Sequence, residues 1–188
     1  MGNKPTKVDN DFHDKEEVAW HEAGHATVAA VICRTKQNGG IVTTLIYPNN
    51  GEVTERGRSW LGQVRYTITG LSASDKAVIS VAGVVAEVLL DDDQIDSYDI
   101  ITHWKYKEIE PSPADLRTIP RTWKARTAAV ERALGLLREH RALLEAVVAR
   151  LLRKGVVPNT VLQKFVKRFG NPSHQANGKR QKKRSLTK

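Results

Sequence analysis

Two histidines four residues apart, with a glutamate directly after the first, lie inside a stretch whose apolar residues recur at helical spacing. Val18, Ala19, Ala26, Val28, Ala29 and Ile32 mark that spacing, and His21, Glu22 and His25 fall within it. No other feature constrains the fold as tightly, because unpaired imidazoles and a carboxylate are costly to bury in an apolar helix. Residues four apart on a helix face the same way, so both imidazoles reach one ion. Zinc accepts neutral imidazole nitrogen at about 2.0–2.1 Å. Glu22 projects beside such an ion, where it can take a proton from a water whose pKa zinc lowers to about 7 and pass it to a leaving amine. A purely structural zinc has no use for that base. Gly24 costs the helix about 1 kcal/mol relative to Ala, which is easier to understand if something packs closely against it.

The first helix is expected to start near Asp14, an N-cap followed by Glu16 and Glu17 in the first turn, and to run to about Arg34. β signals follow. Ile41 to Tyr47 is rich in β-branched residues, Pro48 to Gly51 is a turn cluster, and Leu61 to Thr69 alternates in part. These predict a small antiparallel sheet of two or three strands. Ser72 to Ser74 caps a second helix reaching Leu90. Asp91 then opens an acidic loop extending to about Pro113. Asp91, Asp92 and Asp93 lack the spacing and the glycine of an EF-hand loop, so calcium is not expected. Beyond Pro113 the pattern is helical, with Pro120 kinking or restarting it. Thr122 to His140 and Ala142 to Lys154 are amphipathic, Gly155 stops the latter, and Pro158 to Thr160 starts a last helix ending near Phe169. The expected fold class is α+β, mainly α-helical: a metal-binding helix, a small antiparallel sheet and a C-terminal helical bundle. The chain divides into a flexible lead (1–12), one domain (13–170) and a basic disordered tail (171–188).

The 188 residues suffice for one ordinary domain, and 40% hydrophobic residues supply a core. Val78 to Leu90, the longest apolar run, is interrupted by Ser80 and Glu87 and falls short of the roughly 20 residues a membrane helix needs. The polar residues 1–12 lack an apolar leader core, so no secretory signal is expected. Cys33 is the sole cysteine; it makes neither an internal disulfide nor a thiolate zinc site, and in its apolar run it reads as a small buried hydrophobe. A reducing compartment, the cytoplasm, fits. Six cations between Lys179 and Lys188, with no acid, make up most of the net charge of +9. Such a tail is expected to be solvated, or to dock electrostatically on an acidic partner. It has no aromatic residue to stack on bases, which counts against dedicated binding of single-stranded nucleic acid.

A catalytic zinc usually takes three protein ligands plus water. No third histidine follows His25 at metzincin spacing, and the residues alone leave Glu87, Asp99, His103 and Asp115 as candidates. Glu87, on the second helix, is also suited to orienting a ligand histidine.

His21-Glu22-Ala23-Gly24-His25-Ala26, Ile46-Tyr47-Pro48, Leu61-Gly62, Ala82-Gly83-Val84-Val85-Ala86-Glu87 and Ser112-Pro113-Ala114-Asp115-Leu116 occur in that order. This ordered set, with the closing helices from Leu143 to Phe165, resembles the peptidase domain of the FtsH-type ATP-dependent zinc proteases over residues 14 to 169. The resemblance implies that Asp115 is the third zinc ligand, that Glu87 is a supporting residue, and that Leu61, Gly62, Gln63 and Val64 form a strand able to pair with an extended substrate. That family's proteases carry an ATPase module and membrane anchors, whereas a stand-alone domain is expected here. Pro113 and Pro120 bracket the aspartate segment, and the acidic loop before it is longer than the family's usual connection.

The leading expectation is a soluble zinc endopeptidase acting on peptides or unfolded segments, with one Zn²⁺ per chain and Glu22 as general base. Trp60 and Tyr66 are candidates for the substrate groove or for the core. Substrate delivery by a separate ATPase or adaptor, and a ring-shaped oligomer, are compatible with the resemblance. The competing expectation is a non-catalytic metal-containing module that docks a protein or nucleic-acid partner through its basic tail. Iron, cobalt or manganese would also suit such a site, since affinity alone does not select among them.

Overall fold

A computed structural model describes residues 7–35, 40–50, 59–67 and 69–170. The basic tail lies outside the described residues. The order is α1 (Lys7–Thr35), β1 (Ile41–Pro48), β2 (Trp60–Thr67), α2 (Ala73–Asp91), α3 (Ser97–Lys105), α4 (Pro113–Leu116), α5 (Trp123–Glu139), α6 (Arg141–Lys154), β3 (Val156–Val157) and α7 (Asn159–Phe169). The architecture is α+β and mainly helical, with one small antiparallel sheet.

The middle of α1 is buried on every side. Ala19, Ala23, Ala26, Val28 and Ala29 have no exposed surface, and Trp20, Val31, Ile32 and Cys33 are nearly as enclosed. A helix apolar all round is central in its domain, and α1 packs against α2, α5, α6, α7 and the sheet. The helix begins at Lys7 rather than near Asp14, so residues 7–12 continue it instead of preceding it. Asp14 does not cap its own helix, because its carboxylate accepts hydrogen bonds from the Ser59 amide (3.1 Å) and hydroxyl (2.9 Å) at the entry to β2.

Gly24 marks the crossing of α1 and α2. A Cβ there would lie 2.3 Å from the Ala82 carbonyl oxygen and 2.6 Å from Ala86 Cβ. The ordinary helix penalty of glycine is therefore offset by close contact between the two helices. A reciprocal Ser72–Asp75 capping box starts α2. The buried Asp75 carboxylate also accepts from Arg132 Nη2 at 3.0 Å, which ties α2 to α5.

The sheet order is β2-β1-β3, with β2 at an edge. Ser59 accepts from the Asn49 amide (2.7 Å), and the register pairs Tyr47 with Leu61 and Leu45 with Gln63. Antiparallel ladders alternate, so Leu61, Gln63 and Arg65 direct their backbone groups to β1. Trp60, Gly62, Val64 and Tyr66 direct theirs to the outer edge. The sheet has three strands, within the expected two or three, but the sequence did not locate the third. Gly155, in the left-handed region at φ 68°, ends α6 and turns Val156 and Val157 onto β1, with the Ile46 amide donating to the Gly155 carbonyl at 2.8 Å.

The expected acidic loop contains a helix. Asp96 caps α3 through the Asp99 amide (2.9 Å), and Ile100 and Trp104, four apart, bury one face of it against α5. Asp91, Asp92 and Asp93 are exposed at its entry, where Asp93 pairs with Arg141. The segment between Pro113 and Pro120 is a single helical turn, and α5 restarts at Trp123. Among the described residues no helix is long and apolar enough to cross a membrane.

Candidate metal centre

His21 and His25 sit one turn apart on α1 with their rings edge to face, centroids 4.6 Å apart. Each imidazole is fixed through its Nδ1. His25 Nδ1–H donates to the Ile79 carbonyl at 2.6 Å, and His21 Nδ1–H donates to Glu87 Oε1 at 2.8 Å. Both acceptors require the proton on Nδ1, so both Nε2 atoms turn toward the same space. They are 3.0 Å apart.

Asp115, from the one-turn helix α4, closes the third side. Its Oδ2 is 3.5 Å from His21 Nε2 and its Oδ1 is 3.4 Å from His25 Nε2. Among the described residues these three form a group able to hold a metal ion, with ligand atoms within 4.8 Å of one another. The spacing fits the donor set. Ligands at about 2.0–2.1 Å in tetrahedral array stand about 3.3 Å from each other. Two neutral imidazole nitrogens in this proximity would repel each other in the absence of a shared proton or cation.

The electrostatics show the same demand for positive charge. Burial alone would lower the His21 pKa. The hydrogen bonds to Asp115 and Glu87, with the charges of Glu87 and Glu22, overcome that and hold it up at about 10. Burial alone would raise the Asp115 pKa, and the two histidines instead hold it far below the carboxylate range.

Glu22 is buried beside the cluster. Its pKa is raised by burial, against the lowering effect of His21 and His25. The edge strand passes directly over it. A Cβ on Gly62 would lie 2.3 Å from Glu22 Cγ and 2.6 Å from Oε1. On the opposite side α2 backs onto the imidazoles, since a Cβ on Gly83 would lie 2.5 Å from His25 Nε2 and 2.6 Å from His21 Nε2. The two glycines admit backbone where any side chain would displace a functional group.

A cleft of about 750 Å³ opens over these residues, with β2 on one side and the segment carrying Asp115 on the other. Leu61, Gly62, Gln63 and Val64 all line it, although the backbone groups of only Gly62 and Val64 face the outer edge. Trp60 and Tyr66 pack partly on the core and also line the cleft.

Of the four third-position candidates, Asp115 joins the histidines and Glu87 holds His21 from behind. Asp99 is exposed in the first turn of α3, and His103 pairs with Glu108; neither lines the cleft. Sequence reasoning missed the Ile79 carbonyl, which carries no residue-type signal, and the hydroxyls of Ser80 and Thr118. Ser112 was detectable as a cap three residues before Asp115. Its hydroxyl donates to Asp115 Oδ2 at 2.6 Å and accepts from the Asp115 amide at 3.2 Å. Comparison with known proteins gave no matching family model and no matching curated protein.

Proposed function

We propose that this chain is a zinc-dependent peptide hydrolase, related in design to the peptidase domain of the FtsH-type proteases that its ordered motifs resemble. The observation that carries the reading is the convergence of His21, His25 and Asp115 beside a buried carboxylate, Glu22, under the outer edge of β2. A two-histidine, one-carboxylate donor set with an open side suits catalytic zinc.

Zinc held there would polarise a carbonyl and acidify water. His21, His25 and Asp115 would hold the ion, and Glu87 and the Ile79 carbonyl keep the two imidazoles in the tautomer that binds metal. Glu22 acts as general base, taking a proton from the attacking water and delivering it to the leaving amine. Burial raises its pKa, the direction that makes a carboxylate a stronger base. The outward amides and carbonyls of Gly62 and Val64 would bind an extended chain as an added strand, which favours peptides and unfolded segments over folded proteins. Delivery of such segments by a separate ATPase or adaptor is part of the same reading.

The test is elemental analysis together with hydrolysis of an unfolded protein such as casein. Wild type is expected to hold about one zinc per chain and to cleave. Glu22→Gln should keep the metal and lose hydrolysis by at least about 10²-fold. A metal-free wild type under non-chelating conditions, or full activity in Glu22→Gln, would sink the reading.

A further inference from the structure

Three of the groups that orient the cluster lie along one face of α2. Ile79 presents its carbonyl to His25, and Glu87, two turns on, presents its carboxylate to His21. Gly83, midway, lets the helix back against both rings. Ser80 lies beside Ile79, and its hydroxyl is in a short hydrogen bond with the Thr118 hydroxyl. Thr118 Oγ1 in turn donates to the Asp115 main-chain carbonyl at 3.1 Å. A hydroxyl has one proton. With that of Thr118 committed to Asp115, Ser80 must be the donor to Thr118. The result is a directed chain from α2 through Ser80 and Thr118 to the backbone of Asp115.

The need for such a chain follows from where Asp115 sits. His21 and His25 ride on a helix buried on every side, whereas α4 is a single turn with no buried residue. Ser112 orients the Asp115 carboxylate within that turn, but both belong to the same short segment and would move together. Among the described residues, the hydrogen bond from Ser80 to Thr118 joins this segment to the helix that orients the other two ligands.

We propose that Ser80 and Thr118 are positioning residues for the third metal ligand, so that α2 sets the geometry of all three: His25 through Ile79, His21 through Glu87, and Asp115 through the two hydroxyls. The inference rests on the metal-binding part of the proposed function and does not depend on peptide hydrolysis.

The experiment measures zinc affinity of the full chain by competition with a chromophoric chelator, beside the thermal midpoint of the metal-free protein. Thr118→Val removes the hydroxyl at nearly constant volume from an exposed position. It is expected to weaken zinc binding about 10–100-fold, the usual effect of removing an outer-shell partner, with the metal-free midpoint unchanged. Thr118→Ser, which keeps the hydroxyl, is expected to restore affinity to within about twofold of wild type. Ser80→Ala should weaken binding to a similar extent, and the double variant should bind no more weakly than Thr118→Val alone, because the two hydroxyls act in series. Affinity within twofold of wild type in both Thr118→Val and Ser80→Ala would overturn the proposal while leaving the metal site intact, provided His21→Ala and Asp115→Ala lose zinc. Failure of wild type itself to bind zinc would overturn both.

Discussion

Gly62 and Gly83 make the site possible by what they lack. Each faces a functional side chain at a distance no Cβ tolerates: Gly62 against Glu22, Gly83 against His21 and His25. The two positions separate two roles. On the proposed function, Gly62→Ala pushes on the proposed general base, Glu22, and not on a proposed metal ligand, so it is expected to lower kcat by about tenfold or more while leaving the metal content unchanged. Misplacement of a catalytic group by about 1 Å can cost 10²-fold. Steady-state kinetics with elemental analysis on the same preparation checks this, and unchanged kcat would show that β2 yields without disturbing Glu22. His21, Glu22 and His25 were recognisable in the sequence because helical periodicity alone brings them together. Asp115 was one candidate among four on residue type alone. It lies far along the chain from His25, and no local period connects them.

At the scale of elements, β2 carries a division of labour that its sequence does not display. Leu61 and Gln63 hold the strand to β1, and Gly62 and Val64 turn their backbone groups outward. Proline separates the two sets, because it removes an amide proton and is tolerated in strands where that proton faces outward. Val64→Pro is expected to leave the thermal midpoint close to wild type and to raise KM for an unfolded substrate severalfold. Gln63→Pro breaks the ladder to β1 and is expected to lower the midpoint by several degrees. Equal effects of the two substitutions on both measurements would mean that the outer edge does not bind substrate. Helix α3 is another element that the sequence understated. Its fully buried face is one pair, Ile100 and Trp104, in a short helix that follows a stretch of aspartates. It becomes a helix because α5 offers that pair a surface, with Arg126 set against the Trp104 and Trp123 rings.

At the scale of the whole molecule, His140 links pH to stability far from the cleft. It joins α5 to α6, is buried, and its Nδ1 has no hydrogen-bond partner among the described residues. Burial lowers its pKa, the charge of Glu139 opposes this, and Arg34 from α1 adds to it. The unfolded chain takes up a proton here near pH 6.5, and the folded chain does so only at lower pH. Between those values the unfolded state binds more protons, so stability rises with pH. The contribution is fully present above about pH 6.5 and is lost as the pH falls toward the folded value. Thermal unfolding between pH 8 and 5 should therefore show a shallower acid-side decline in His140→Phe than in wild type. Parallel profiles would assign the decline to other groups.

The sequence by itself determined whatever rests on local periodicity and residue chemistry. This includes the helix that pairs two imidazoles, the glycine that stops α6, the cap that starts α2, and the mainly helical class with its small sheet. Burial of Cys33 also followed from its apolar run. Only the tertiary structure decided which distant carboxylate meets the imidazoles, which backbone carbonyl fixes His25, and that two residues after Gly155 complete the sheet. Those contacts join groups far apart in the chain, or use main-chain atoms that every residue possesses. Their selection depends on how α1, α2 and β2 approach one another, and that approach is set by the absence of side chains at Gly24, Gly62 and Gly83.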